Sequence, residues 1–252
     1  MKKLILLTVT LLAFNSSFTQ TLKGKITYRA TINTEAYLER LNNDTVMPAF
    51  RKEHRIKLAK DAVPTNFHLL FKGKESLYKA EHDIPTKRRL GTLMNKTGSV
   101  GSHHVIYYTN IGTKEKFYQS FWTQEVLVNM DDIDWKLTQE TKKIGKYLCY
   151  KATAIIDSEQ MYGMNFSSPV VAWYTPQIPV HFGIQTFVGL PGLTLELIAD
   201  LEDGKIYYYA TKIELNLKEE IEIIKPKATR QISQQDYLEL IKRLNAKRRS
   251  GR

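Results

Sequence analysis

Residues 189–201, Gly189-Leu190-Pro191-Gly192-Leu193-Thr194-Leu195-Glu196-Leu197-Ile198-Ala199-Asp200-Leu201, continue across Glu202-Asp203-Gly204 into Lys205–Leu215. This stretch reads as a rigid turn feeding the clearest β-hairpin of the chain. Leu193, Leu195 and Leu197 alternate with Thr194, Glu196 and Ile198, the period of a strand that lays one face on a core. Asp203-Gly204 has the left-handed backbone preference that closes a tight hairpin. In Leu190-Pro191-Gly192-Leu193, proline fixes φ at the second position and glycine tolerates positive φ at the third, the composition of a type II turn. Thr175-Pro176 and Ile178-Pro179 force extended backbone just after Trp173-Tyr174. Two rigid, hydrogen-bond-poor segments are therefore expected to converge at one end of a sheet.

Outward from this stretch the strand period recurs. Lys23–Ile32 alternates Ile26, Tyr28 and Ala30 against Lys25, Thr27 and Arg29, and Phe67–Phe71 faces Glu75–Ala80 across Lys72-Gly73-Lys74. Further strands are predicted at His104–Thr109, Lys116–Phe121, Glu125–Met130, Asp134–Glu140, Lys146–Ile156 and Val170–Tyr174. Turn signals, including Asp131-Asp132 and Ile144-Gly145, recur at about the 8–12 residues typical of antiparallel sheets.

Three segments depart from this rhythm. Residues 35–62 carry Tyr37, Leu38 and Leu41 at helical spacing before Pro48, and read as a helical or irregular insertion. Residues 81–102 lack periodicity and read as a variable loop. Residues 233–249 read as a helix, with Ser233 and Asp236 placed as a capping box and Tyr237, Leu238, Leu240, Ile241 and Leu244 as its apolar face. The expected architecture is a single α+β domain over residues 20–252, mostly β. It is a curved antiparallel sheet running as a meander, with the C-terminal helix packed on it.

Residues 1–19 are set apart from that domain. Lys2-Lys3 and the apolar run Leu4–Phe14 have the form of a signal peptide, and Ser17-Phe18-Thr19 supplies a small-x-small cleavage site before Gln20. The apolar run is too short for a bilayer span. The single cysteine, Cys149, is remote from that site and has no thiol to pair with, so the expected product is exported, soluble and not a lipoprotein. The formal net charge is +11, two of it from Lys2 and Lys3. Outside the cytoplasm this excludes nucleic acid as the natural partner and points to anionic lipid headgroups, glycans or an acidic protein. The basic residues are scattered, which favours a solvated surface.

Lys146-Tyr147-Leu148-Cys149-Tyr150-Lys151-Ala152-Thr153, Ala172-Trp173-Tyr174-Thr175-Pro176-Gln177-Ile178-Pro179 and Gly189-Leu190-Pro191-Gly192-Leu193 occur in that order. In this order the chain resembles the GLPGLI family of exported Bacteroidetes proteins, from about Phe117 to Leu215. Thr194 stands where the family motif ends in isoleucine, and Gly183-Ile184 where it has Gly-Pro; both read as tolerable surface exchanges. The resemblance implies export to a Gram-negative cell envelope and no established activity.

No catalytic set stands out. Gly98-Ser99-Val100-Gly101-Ser102 lacks the spacing of a nucleophile elbow, and Cys149 reads as a buried packing residue in a strand beside Tyr147 and Lys151. His103-His104 would point to opposite strand faces, so only one could meet His181 at a metal. Asp131-Asp132-Ile133-Asp134 lacks the glycine and closing glutamate of a calcium loop, and Glu81-His82-Asp83 has no positioning element. No cofactor or metal is implied. The expected function is a periplasmic binding or carrier module. Its apolar cleft would be rimmed by Trp173, Tyr174, Pro176, Pro179, Gly189, Leu190, Pro191, Gly192 and Leu193 and would hold an apolar or lipid-like ligand. In outline such a sheet is similar to periplasmic half-barrel carriers. The alternative is an accessory subunit docking to an outer-membrane transport complex.

Overall fold

The computed structural model describes residues 21–60, 64–81, 105–119, 125–157, 167–201 and 204–250. The expected signal peptide, nearly all of the loop 81–102 and Asp203 lie outside these residues. In chain order the elements are β1 (Lys23–Ile32), α1 (Thr34–Asn43), α2 (Ala49–Lys60), β2 (Thr65–Lys72), β3 (Glu75–Ala80), β4 (Tyr107–Asn110), β5 (Glu115–Gln119) and β6 (Val126–Asn129). They continue with β7 (Lys136–Ile144), β8 (Tyr147–Asp157), β9 (Ser167–Thr175), β10 (Leu193–Leu201), β11 (Gly204–Leu215), β12 (Arg230–Ile232) and α3 (Gln234–Ser250).

The strands form one 12-stranded sheet in the order β12-β6-β5-β4-β3-β2-β1-β11-β10-β9-β8-β7. β1–β6 make one antiparallel meander and β7–β11 another, and β1 pairs with β11 to join them. β12 pairs with β6 in parallel, so the sheet is mixed. The chain reaches that edge by a crossover along residues 216–229, as parallel pairing requires.

Between β6 and β7 the meander breaks. Residues 130–135, which include the turn expected at Asp131-Asp132, instead link opposite ends of the β6-to-β7 span. Such a link reaches at most about 25 Å, whereas the intervening strands laid flat would hold its ends about 48 Å apart. The sheet must curl until its ends approach, and the shortness of the link is what enforces the curvature.

The face enclosed by the curl carries the main core, including Ile26, Tyr28, Phe67, Leu69, Phe71, Tyr78, Leu197 and Tyr208. The connection from β9 to β10 fills it with Ile178, Val180, Phe182, Ile184, Phe187 and Leu190, all buried. Trp135 of the short link donates its indole N–H to the Val188 carbonyl at 3.0 Å, tying link to filling. Farther along, Val126 and Val128 pack against Tyr237 of α3. The helix thus covers the β6 end of the sheet, as its apolar face leads one to expect.

Strands β3–β6 are buried on both faces. Leu77, Tyr108, Phe117 and Leu127 form a second cluster, which Ile223 and Ala228 of the crossover cover. The apolar doublets Leu77-Tyr78, Tyr107-Tyr108 and Phe117-Tyr118 follow from that two-sided cover, since neighbouring strand residues face opposite ways. α1 and α2 form a hairpin with a small core of its own, built on Tyr37, Leu41 and Ala59. Asn33 caps α1 by accepting from the Ala36 N–H at 3.0 Å.

Candidate functional site

The two rigid segments do converge. The Leu193 N–H donates to the Ile178 carbonyl at 3.1 Å, and the Gly189 N–H to the His181 carbonyl at 3.1 Å. The local turn differs from the expected type II form. Gly192 donates to the Leu190 carbonyl at 2.8 Å, which closes a three-residue turn around Pro191. Its φ of 157° is far from the roughly +80° of a type II third position. Gly192 is needed for space: a Cβ there would sit 2.3 Å from the Thr175 carbonyl oxygen. Gly189 is needed for conformation, with φ of 95° and open space around it.

The proposed rim residues separate into three environments. Leu190 and Leu193 are 1% and 0% exposed, inside the main core. Trp173 and Tyr174 are adjacent on β9 and face opposite ways. Tyr174 is buried with the core. On the other face, the Lys142 ammonium caps the Trp173 ring at 4.4 Å while it pairs with Glu196 at 2.6 Å. Pro176, Pro179, Gly189 and Pro191 are exposed, and Gly192 is buried between the converging segments.

Thr194 is also a core residue, not a surface one. The register between β9 and β10 slips between Thr194 and Glu196, and this bulge turns Thr194 toward the interior. There it is 1% exposed with its hydroxyl unpartnered. The Thr194 carbonyl accepts from the Tyr28 hydroxyl at 2.7 Å. Ile184, expected like Thr194 to be a surface exchange, is also fully buried, and Gly183 before it would place a Cβ 1.9 Å from the Phe187 carbonyl oxygen.

Cys149 is fully buried, and burial pushes its thiol up to about 11, opposed by Lys142. At neutral pH this favours the thiol over the thiolate. His181 is exposed on the converging segment; His82, Asp83, His103 and His104 lie outside the described residues, as does Gly98–Ser102. Among the described residues, no three His, Cys, Asp or Glu side chains group in a way that could hold a metal ion, and no helix is long and apolar enough to cross a membrane.

An open groove of about 950 Å³ lies at the β2–β3 and β4–β5 turns, against the crossover. Sequence reading passed over it because its walls come from three distant segments. Lys72, Gly73 and Lys74 form one side, Asn110, Gly112 and Thr113 another, and Ile221 and Ile223 supply apolar wall. Gly73 takes φ of 59° to make its turn. The Lys74 stem lies where a Cβ on Gly112 would meet it at 2.8 Å, so the glycine admits the lysine. Glu220 pairs with Lys72 and with Lys23, and these contacts hold its carboxyl below the usual range. Glu75 accepts from the Tyr108 hydroxyl at 2.5 Å. The groove is amphipathic: Lys72, Lys74, Glu75, Glu220 and Glu222 give it charge of both signs, and Ile221 and Ile223 its apolar wall.

A family model described as a protein of unknown function, Porph_ging, matches residues 135–169 and 160–196. The match takes in β7–β9 and the converging Pro-Gly segments. No curated protein matches the chain. Among solved structures the chain is similar to PNGF-II in two crystal forms, at 15% identity in each and TM-scores of 0.47 and 0.49. In both it covers 86% of this chain and 32% of the other, so the chain spans about a third of that protein's length. It is also similar to the Mycobacterium tuberculosis lipoprotein LppX, at 10% identity and TM-score 0.30 over 88% of this chain and 98% of that one.

Proposed function

We propose that the protein is an exported binding module of the bacterial cell envelope, of the GLPGLI type, acting in the periplasm and holding an amphipathic ligand in the groove between the β2–β3 turn, the β4–β5 turn and the crossover. The observation that carries this reading is the groove's combination of size and lining, about 950 Å³ with Lys72 and Lys74 beside Ile221 and Ile223. Its volume is in the range of small-molecule sites. The sheet's enclosed face supports the same choice, because Ile178–Leu190 already occupies it. An apolar tail would lie on the isoleucines and an anionic or carbonyl head would meet the Lys74 ammonium. The reading is non-enzymatic, and reproducible turnover abolished by one polar substitution would overturn it.

Native mass spectrometry of the protein taken gently from its own envelope, beside the same chain refolded from denaturant, tests it. Extra mass that vanishes on refolding and is lost in Lys74→Glu supports the groove. Extra mass that Lys74→Glu retains moves the ligand elsewhere, and identical bare masses overturn the carrier reading.

A second reading is an accessory subunit that docks to an outer-membrane transport complex. It is favoured by Pro176, Pro179 and Pro191, exposed together on backbone that is already fixed, so that little ordering entropy opposes docking. Failure to capture any outer-membrane protein would refute it, and capture that survives Pro179→Asp with Pro191→Asp would move the docking surface away from these prolines.

A further inference from the structure

We infer that the main core holds an ordered water molecule against the Tyr78 hydroxyl, hydrogen-bonded also to the phenols around it, and that this water joins the two meanders through their tyrosines. The inference is independent of the groove. Among the described residues, no group makes a hydrogen bond with the Tyr78 hydroxyl, which is shut off from solvent. The whole side chain is 2% exposed. A hydroxyl left dry in this way forfeits its hydration, and native cores seldom tolerate it.

Tyr78 sits among other phenols. Its ring centroid lies 6.1 Å from that of Tyr28 and 5.9 Å from that of Tyr107. Phe67 stacks on it at 5.5 Å and meets Tyr208 edge-on at 6.2 Å. Burial pushes the pKa of Tyr78 well above its ordinary value, and Tyr208, Tyr107 and Tyr28 add to that push, as phenols sharing one dry region do. Tyr28, Tyr78 and Tyr107 come from β1, β3 and β4 of one meander, and Tyr208 from β11 of the other. The connection from β9 to β10 contributes Gln185, which is buried with φ of 55° and donates its amide N–H to the Tyr208 hydroxyl at 3.2 Å.

Hydrogen-bonding capacity selects the occupant. None of the buried side chains of the described residues is charged, so an ion would find no counter-charge here. A phenol that donates can still accept: Tyr28 gives its proton to the Thr194 carbonyl at 2.7 Å and keeps its oxygen lone pairs. A water molecule takes the Tyr78 proton and returns its own to such oxygens, which meets the two to four polar partners that a buried water requires. Small side chains interrupt the rings. Ala30 shares a strand face with Tyr28 and stands opposite Tyr208, and Ala80 shares one with Tyr78. The rings otherwise touch one another, so the occupant is of solvent size.

The test is a crystal structure of the chain as processed by its host, at a resolution that orders internal solvent. Density for a water within about 3.2 Å of Tyr78 Oη, and within reach of a second phenol oxygen, is expected. Urea denaturation supplies an independent reading. Tyr78→Phe strips the water of a donor and should lower the folded-to-unfolded ratio about fivefold, whereas an orphaned hydroxyl predicts a gain. Tyr28→Phe completes a cycle with it, and the double variant should lose less than the two single losses combined, because both act on one water. If Tyr28→Phe does not fold, Tyr208→Phe takes its place. A Tyr78 hydroxyl aimed at a ring face or at a protein group with no water beside it, a gain of stability in Tyr78→Phe, or losses that simply add would overturn the inference.

Discussion

At Thr194 a buried hydroxyl has no partner, and such a group forfeits its hydration without recompense. Thr194→Val keeps the shape and removes the orphan, and should stabilise the protein by about 1 kcal/mol in urea denaturation; a loss of stability would mean the hydroxyl is satisfied in solution. Gly192 is the opposite case. Gly192→Ala puts a methyl group 2.3 Å from the Thr175 oxygen, backbone that cannot yield cheaply, and should destabilise by about 3 kcal/mol or more. A thermal scan showing an unchanged midpoint would refute the close approach. His68 gives a pH signature. Its Nδ1 lies 3.2 Å from Thr27 Oγ1 and its Nε2 3.4 Å from Glu81. Burial, then Lys25, hold its pKa below the ordinary value, and outweigh the pull of Glu81. The unfolded chain therefore takes the proton first as pH falls through about 6.5. The stability linked to this ring is complete above that pH and declines as pH drops toward the folded-state value. Between pH 7.5 and 5.5, His68→Gln should lose less stability than wild type, and equal losses would count against the assignment.

Among the elements, α3 depends on its first turn. Ser233 Oγ accepts from the Asp236 N–H at 3.1 Å and donates to Asp236 Oδ2 at 2.7 Å, so the N-cap foreseen in the sequence is made, with the Asp236 carboxylate meeting the capping hydroxyl. Ser233→Ala should cost about 1 kcal/mol and speed amide exchange in the first turn, while exchange in β1 stays slow. Uniform change across the chain would show instead that the helix and sheet unfold together. The contact that docks this helix is aromatic: Tyr237 meets Tyr118 edge-on, with centroids 6.0 Å apart, while the Tyr118 hydroxyl donates to Gln234 Oε1 at 3.0 Å. Individual strands were legible because period 2 marks any half-buried strand. The doublets of β4 and β5 blur that period, since both of their faces are covered.

For the whole molecule, the central seam is also the longest-range one. β1 opens the described chain and pairs along its length with β11, Tyr28 lying opposite Ala210. A sheet held by such a pairing must close most of the chain before the seam rewards it. Refolding followed by tryptophan emission should therefore relax on the scale of milliseconds to seconds or slower. Microsecond relaxation would show that the two meanders form and dock independently of the seam. The same closure explains the filled interior: the curl leaves an apolar face, and Ile178–Leu190 occupies it.

The sequence by itself determined what depends on neighbours along the chain: the bounds of β1, the β2–β3 and β10–β11 hairpins, the departure of residues 35–62 from the strand rhythm and the cap of α3. It also determined that the segments around Pro176 and Pro191 are rigid and meet. Trp173 and Tyr174, expected on one cleft rim, face opposite ways, as strand alternation requires. Tertiary structure alone decided the rest. The role of residues 130–135 as a link between distant strands, the parallel β12, the bulge that buries Thr194 and the three-segment groove all arise from pairings between residues far apart in sequence. Local period and turn chemistry carry no record of which strand lies beside which, because that choice is made by the burial of a shared core.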